Sequence, residues 1–225
     1  FSNLGGRDRS RLAALDGTGG ALTSWNPNAE GTVRALAVGG DKVYVGGDFL
    51  KLGGQSRHYL AAVDAATGNV TSWNPDPGNR VTALAVSGPT VYAGGAFTQV
   101  GGQARNRIAA LEASSGQVLG GWNPNASSDV LALALFGNTI YVGGYFVSVG
   151  GQERSNLAAV DSATGVASSW NPPANGRVNA LAVKGNTVYA GGAFSRVGGE
   201  ERKFLAALDA KSARVIDWNP AADEA

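Results

Sequence analysis

Short apolar runs return along this chain in a fixed order, separated by turn residues. In the stretch 33–73 the run Val33-Arg34-Ala35-Leu36-Ala37-Val38 begins with alternating positions, the mark of a half-buried strand. A Gly-Gly-Asp-Lys turn leads to a second run over 43–49, and a longer connection then carries Gly53-Gly54-Gln55-Ser56-Arg57. A third run covers 59–64, Ala65-Ala66-Thr67-Gly68 turns the chain, and a fourth run covers 69–73. Four β-runs bounded by turn chemistry predict an antiparallel meander.

The meander repeats. Each copy closes on Trp-Asn-Pro, at Trp25, Trp73, Trp122, Trp170 and Trp218, with intervals of 48, 49, 48 and 48 residues. A period of this length with four strand-like runs is the signature of a β-propeller blade. The expected fold is all-β: one propeller domain, 1–225, of four-stranded antiparallel blades. Its partition is a partial blade (1–31) followed by blades at 32–79, 80–128, 129–176 and 177–225. Phe1 aligns with Phe49, Phe97, Phe146 and Phe194, which close the second run, so the first copy lacks its inner strands. The phase favours a five-bladed ring completed by chain beyond this sequence. A larger ring of six to eight blades, or strands donated by another molecule, are the alternatives.

Each recurring residue type has an expected role. The pairs Gly46-Gly47, Gly94-Gly95, Gly143-Gly144 and Gly191-Gly192 lie inside the second run, where glycine marks a bulge or a close backbone approach. The tryptophans are expected to wedge between blades, and the following Asn-Pro ends the strand because proline has no amide donor. Arg9, Arg57, Arg105, Arg154 and Arg202 each follow a Gly-Gly pair by three residues. Two roles are open for them: a ring that binds an anion or acidic ligand, or a set of tethers holding each connection to its blade. Asp16, Asp64, Glu112, Asp161 and Asp209 recur at the end of the third run and read as turn formers.

Composition narrows the function classes. Eighteen Lys and Arg against seventeen Asp and Glu give a net charge of +1, without the basic stripe of a nucleic-acid binder. No apolar run approaches the roughly 18 residues that would span a bilayer. Cysteine is absent, which excludes disulfides and thiolate metal sites. Methionine is absent too, as expected if a leader was removed or the chain is part of a longer product. His58 occurs in a single repeat and reads as a surface residue. No catalytic, cofactor-binding or metal-ligating set is expected. Differences between copies fall at Tyr145, Phe136 and the pairs His58-Tyr59 and Lys203-Phe204.

The stretch AVDAATGNVTSW, with Ala62, Asp64, Thr67 and Gly68 in place, resembles the repeat of quinoprotein-type (PQQ-like) propellers; Ala159, Asp161, Thr164 and Gly165 fit equally. That resemblance implies that Trp73 packs against the backbone of an adjacent blade. It departs from the pattern in placing Trp one residue later, in a longer third copy, and in Ser212-Ala213 for Thr-Gly. The combined VYxGGxF, VGGxxR and LAALD pattern is similar to delta-60-type repeats of large exported bacterial proteins, which implies a surface location and no enzyme activity. The expected function is a non-enzymatic structural or protein-interaction scaffold, exported or at the cell surface, with a protein partner or self-association through the incomplete blade. Lectin-like glycan binding, one site per blade, is the alternative.

Overall fold

The computed structural model describes all residues except 221, 224 and 225. It is all-β, and each complete repeat folds in the same way. In the second repeat Val33–Gly39, Lys42–Gly47 and Leu60–Asp64 form an antiparallel sheet with Lys42–Gly47 in the middle. The third, fourth and fifth repeats form sheets of the same order. The first strands Val33–Gly39, Val81–Ser87, Val130–Phe136 and Val178–Lys184 pack side by side in succession. Four apolar clusters fill the spaces around and between the sheets.

One of the four expected strands per blade needs revision, and the connection between the second and third strands gains pairing of its own. The run at 69–73 makes only a single bridge, Val63↔Val70, and every repeat has its equivalent, from Leu15↔Leu22 to Leu208↔Val215. Asp64 N donates to Asn69 O (2.8 Å) and Thr71 N to Ala62 O (3.0 Å) on either side of that bridge, and the Thr71 hydroxyl donates to the same Ala62 O (3.0 Å). The ladder ends there because Trp73 N donates to Thr71 Oγ1 (3.3 Å) instead of to the third strand, a local side-chain bond that competes with regular pairing. The blades are therefore three-stranded with a bridged outer segment. Conversely, the connection after the second strand holds a hairpin, Lys51–Leu52 with Gln55–Ser56. It turns through Gly53 and Gly54 at φ 55° and 74°, a pair of positive angles suited to a two-residue hairpin turn.

The glycine pairs serve both expected purposes, one glycine each. The register skips between Val33 and Ala35, and the same bulge recurs in the next three sheets. Opposite it, a Cβ on Gly47 would lie 2.0 Å from Thr32 O. The first glycine of the pair faces the neighbouring blade: a Cβ on Gly94 would lie 2.5 Å from Val130 Cγ1. A side chain at either place meets backbone or a packed valine.

One backbone feature carries no sequence signal. The residue before each third strand has a positive φ, at Arg11, Tyr59, Arg107, Asn156 and Phe204 (62–66°). Bulky residues rarely adopt this region. At Tyr59 it is held from both sides, because Tyr59 N donates to Phe49 O (2.8 Å) and Gly47 N donates to Tyr59 O (2.9 Å).

Candidate functional site

The repeated tryptophans define the seams between blades. Trp73 leaves its own repeat, and its indole Nε1 donates to Glu112 O of the next at 2.9 Å. Trp25, Trp122 and Trp170 do the same to Asp64 O, Asp161 O and Asp209 O. Tyrosines of the second strands reinforce each seam. Tyr44, Tyr92 and Tyr141 hydroxyls donate to Ala113 O, Ser162 O and Ala210 O, again one repeat ahead. Tyr44 and Tyr141 meet their tryptophans edge-on, as at Tyr44–Trp73, 5.0 Å between centroids at 67°, an arrangement that suits aromatic quadrupoles, and the Tyr92–Trp122 pair is tilted at 57°. The glycine of each Thr-Gly or Ser-Gly turn forms the floor: a Cβ on Gly68 would approach Trp25 Cδ1 at 3.2 Å. In the fifth repeat this glycine is Ala213, which keeps the left-handed angle at φ 64°.

The acidic residues shape the turn beneath that floor. Asp64 Oδ1 accepts from Thr67 Oγ1 and Thr67 N, both at 2.7 Å, and from Ala66 N at 3.1 Å. The Thr67 hydroxyl bond, then the backbone bond, holds the Asp64 carboxyl below the usual carboxylate range. Asp16, Asp161 and Asp209 are lowered by the equivalent bonds from Thr18, Thr164 and Ser212. In the third repeat Glu112 Oε2 accepts from Ser115 Oγ instead. These carboxylates are committed to local N–H and O–H donors.

The five arginines are placed alike. Each Nη1 donates to the carbonyl just before it and each Nη2 to a carbonyl of the same repeat's outer segment: Thr23 O for Arg9, Thr71 O for Arg57, Ser168 O for Arg154 and Ile216 O for Arg202. Arg105 divides its second nitrogen between Leu119 O and Gly120 O, where the third copy carries its extra residue. The planar fork ties the connection to the outer segment within one repeat. All five Nε atoms are buried without a partner.

The structure brings together one constellation that the sequence did not reveal. His58 Nδ1 lies 2.8 Å from Asp76 Oδ1, and Ser56 Oγ lies 3.2 Å from His58 Nε2. The connectivity is that of a serine–histidine–aspartate relay. All three side chains stand at the surface, and the same positions elsewhere pair Ser10 with Asn28 and Asn106 with Asn125. The group is one variant of a tether between the connection and the segment after Trp-Asn-Pro. Exposed apolar side chains also stand on the connections: Tyr145 and Val147, 65% and 68% exposed, flank the buried Phe146, and Leu50 stands out from the second repeat, while Leu36, Val38 and Val166 are exposed on other segments. No helix among the described residues is long and apolar enough to cross a membrane, and these residues hold no cluster of potential metal ligands.

Repeated three-stranded sheets, tryptophan-to-backbone seams and Asp-Thr-Gly turns define a β-propeller of PQQ-like repeats. The profile of the family described as outer membrane protein assembly factor BamB matches residues 4–221, and the chain belongs to that family. Among curated proteins none is detectably similar in sequence. Among solved structures, BamB from Moraxella catarrhalis is 19% identical, with a TM-score of 0.60 over 92% of this chain and 55% of that one. A chain of the mitotic checkpoint complex is 15% identical, with a TM-score of 0.63 over 91% and 56%. The computationally designed Ika4 protein is 20% identical, with a TM-score of 0.53 over 79% and 89%. The chain thus spans little over half the length of the BamB and checkpoint chains, and the likeness to all three is one of fold.

Proposed function

We propose that this chain is a non-enzymatic scaffold that presents the connections of a rigid propeller to a protein partner. The observation that carries this reading is the division of labour between repeated and unrepeated residues. The tryptophans, turn carboxylates and arginine forks each bond to the protein's own backbone. The residues that differ between copies include the exposed pair Tyr145 and Val147, and exposed aromatic and aliphatic side chains are what protein interfaces recruit. The family's printed description, an outer membrane protein assembly factor, is of the same kind. It agrees with an exported or cell-surface location, which the similarity to delta-60-type repeats also favours. Residues 1–225 act in this reading as one propeller domain, divided into repeats at 31, 79, 128 and 176, within a five-bladed ring. The tryptophans serve as blade packing and the arginines as tethers.

The glycan-binding alternative asks for an accessible aromatic in every blade. Trp25, Trp73, Trp122 and Trp170 are 2–7% exposed, which favours the protein-scaffold reading. A photocrosslinking side chain at Tyr145, compared with one at Lys211 and used in an envelope fraction of the source cell, tests it. Discrete protein adducts formed from position 145 alone are expected. Equal adducts from both positions, or saturable binding on a glycan array without protein adducts, would overturn it.

A further inference from the structure

Each Trp-Asn-Pro leads the chain past two turns of the next repeat: the Gly-Gly-Gln tip of the hairpin and the turn after the third strand. Both turns are built on glycine and come close to their neighbours. A Cβ on Gly53 would lie 2.7 Å from Val70 Cγ2, and one on Gly68 would lie 3.1 Å from Asn26 N. Between the first and second repeats these turns border a groove of about 400 Å³, lined by Asn26, Gln55 and Asn69 with Pro27 and Val70. The same place between the second and third repeats holds a groove of about 260 Å³, lined by Asn74, Gln103 and Gln117 with Pro75 and Val118. The larger groove is within the range of about 300–1,000 Å³ that small-ligand sites occupy, and the smaller is just below it.

Neighbouring groups orient these carboxamides. Gln55 Oε1 accepts from Arg57 Nη2 at 3.1 Å and Gln103 Oε1 from Arg105 Nη2 at 3.4 Å, which leaves the Nε2 donors of both glutamines for another partner. Asn26 Oδ1 is buried without a partner, and a buried acceptor left unpaired costs free energy until something donates to it. Asn69 and Gln117 stand exposed. The fold does not need this set. Later repeats place Val166 and Arg214 where the second has Asn69, and the fifth places Glu200 where it has Gln55. The arginine forks, by contrast, recur in all five copies.

The lining selects the ligand. Every side chain that lines the two grooves is uncharged and non-aromatic, which suits a neutral ligand. A saccharide ring would rest its C–H face on an apolar platform, and proline and valine supply little of one here. A peptide unit offers one N–H and one C=O, the complement of a carboxamide's own acceptor and donors. We infer that the two grooves bind the main chain of an uncharged, extended peptide segment. Asn26 Oδ1 accepts from one of its N–H groups and Gln55 Nε2 donates to one of its carbonyls; Gln103 Nε2 donates likewise in the second groove. This inference goes beyond the scaffold reading, since it concerns another surface and does not depend on what Tyr145 contacts.

The test titrates the full, isotopically labelled chain with acetyl-triglycine amide and follows the side-chain amide resonances by NMR. Saturable shifts of the Gln55, Asn69, Gln103 and Gln117 signals are expected, with a dissociation constant of about 1 mM for so small a probe. Gln55→Glu keeps an oxygen for Arg57 and removes the free donor, at a place that Glu200 already occupies in the fifth repeat. It weakens the response of the first groove about tenfold and leaves that of Gln103 unchanged; Gln103→Glu does the reverse. The inference is overturned if these amides show no saturable shift, or if neither substitution alters the response of its own groove. Maltotriose that shifts the same signals, or that displaces the peptide, would assign the grooves to a glycan and overturn it as well. Adducts from position 145 are measured independently, so either reading can fail alone.

Discussion

The seam between the third and fourth repeats and the outer face of the fifth carry the same residues in different states. Across the seam, Trp122 and Tyr92 are buried and bonded to carbonyls of the next blade, and Gly94 is filled from the same side by Val130. On the outer face Trp218, Tyr189 and Gly191 stand in the same relation to their own sheet and meet no neighbouring blade. Residue identity therefore does not set the energy of these positions; the neighbouring sheet does. Stability of this protein resides largely in the seams, as expected where each repeat contacts only its neighbours.

The sharpest way to break that comparison is to truncate the tryptophans. Trp122→Ala is expected to cost about 3–5 kcal/mol, whereas Trp218→Ala stays within roughly 0.5 kcal/mol, the usual scale of surface changes. Urea unfolding of the two variants measures both, and equal losses would show that the indole acts within its own blade. A smaller effect is expected at the notch. Gly94→Leu must displace Val130 and should cost about 1–3 kcal/mol, while Gly191→Leu is near neutral because its surroundings are open.

The tyrosines sharpen the polar part of the seam. Tyr141→Phe removes a 2.8 Å bond to Ala210 O and should cost about 1 kcal/mol; Tyr189→Phe should change nothing measurable. A result of equal size for both would place the contribution in the ring contact rather than in the hydroxyl. The smallest expected effect is electrostatic. Asp16, Asp64, Asp161 and Asp209 have carboxyls held below their ordinary value by turn hydrogen bonds. Their contribution is thus fully present above the unfolded carboxyl range and is lost as pH falls through the lowered folded values. Melting temperature should be flat down to about pH 5 and decline below about pH 4. Asp161→Asn should flatten the decline slightly, and a profile unchanged by it would remove the turn from the acid response.

Much of this was legible from pattern alone. The first three strands lie within one or two residues of the expected bounds in the second repeat, because period-two alternation and β-branched residues agree there. The fourth run was not legible. Its apolar Val70 and Trp73 look like strand residues, yet Trp73 N bonds locally to the Thr71 hydroxyl and the indole serves the next blade. The hairpin at Lys51–Leu52 and Gln55–Ser56 carried a usable signal in Gly53-Gly54, but two-residue strands are too short to show a period. The left-handed Tyr59 and Phe204 gave no signal, because an aromatic at positive φ is held there only by bonds from the folded neighbours. The Ser56–His58–Asp76 contact was equally hidden: eighteen residues separate His58 from Asp76, and only the return of the chain past Trp73 joins them.

The sequence by itself determined the repeat, its 48- or 49-residue phase, the all-β class and the places where glycine is required. Those properties follow from short-range chemistry, since turn residues and alternation act within a few positions. Tertiary structure alone decided what each repeated side chain touches. The arginine fork could have pointed to an axis or to its own repeat, and the carbonyl at the outer segment fixed the latter. The tryptophan could be wedge or exposed surface, and the five copies divide four to one according to whether a blade follows. Burial and hydrogen-bond partners depend on which surfaces meet, and only packing of one sheet on the next supplies that information.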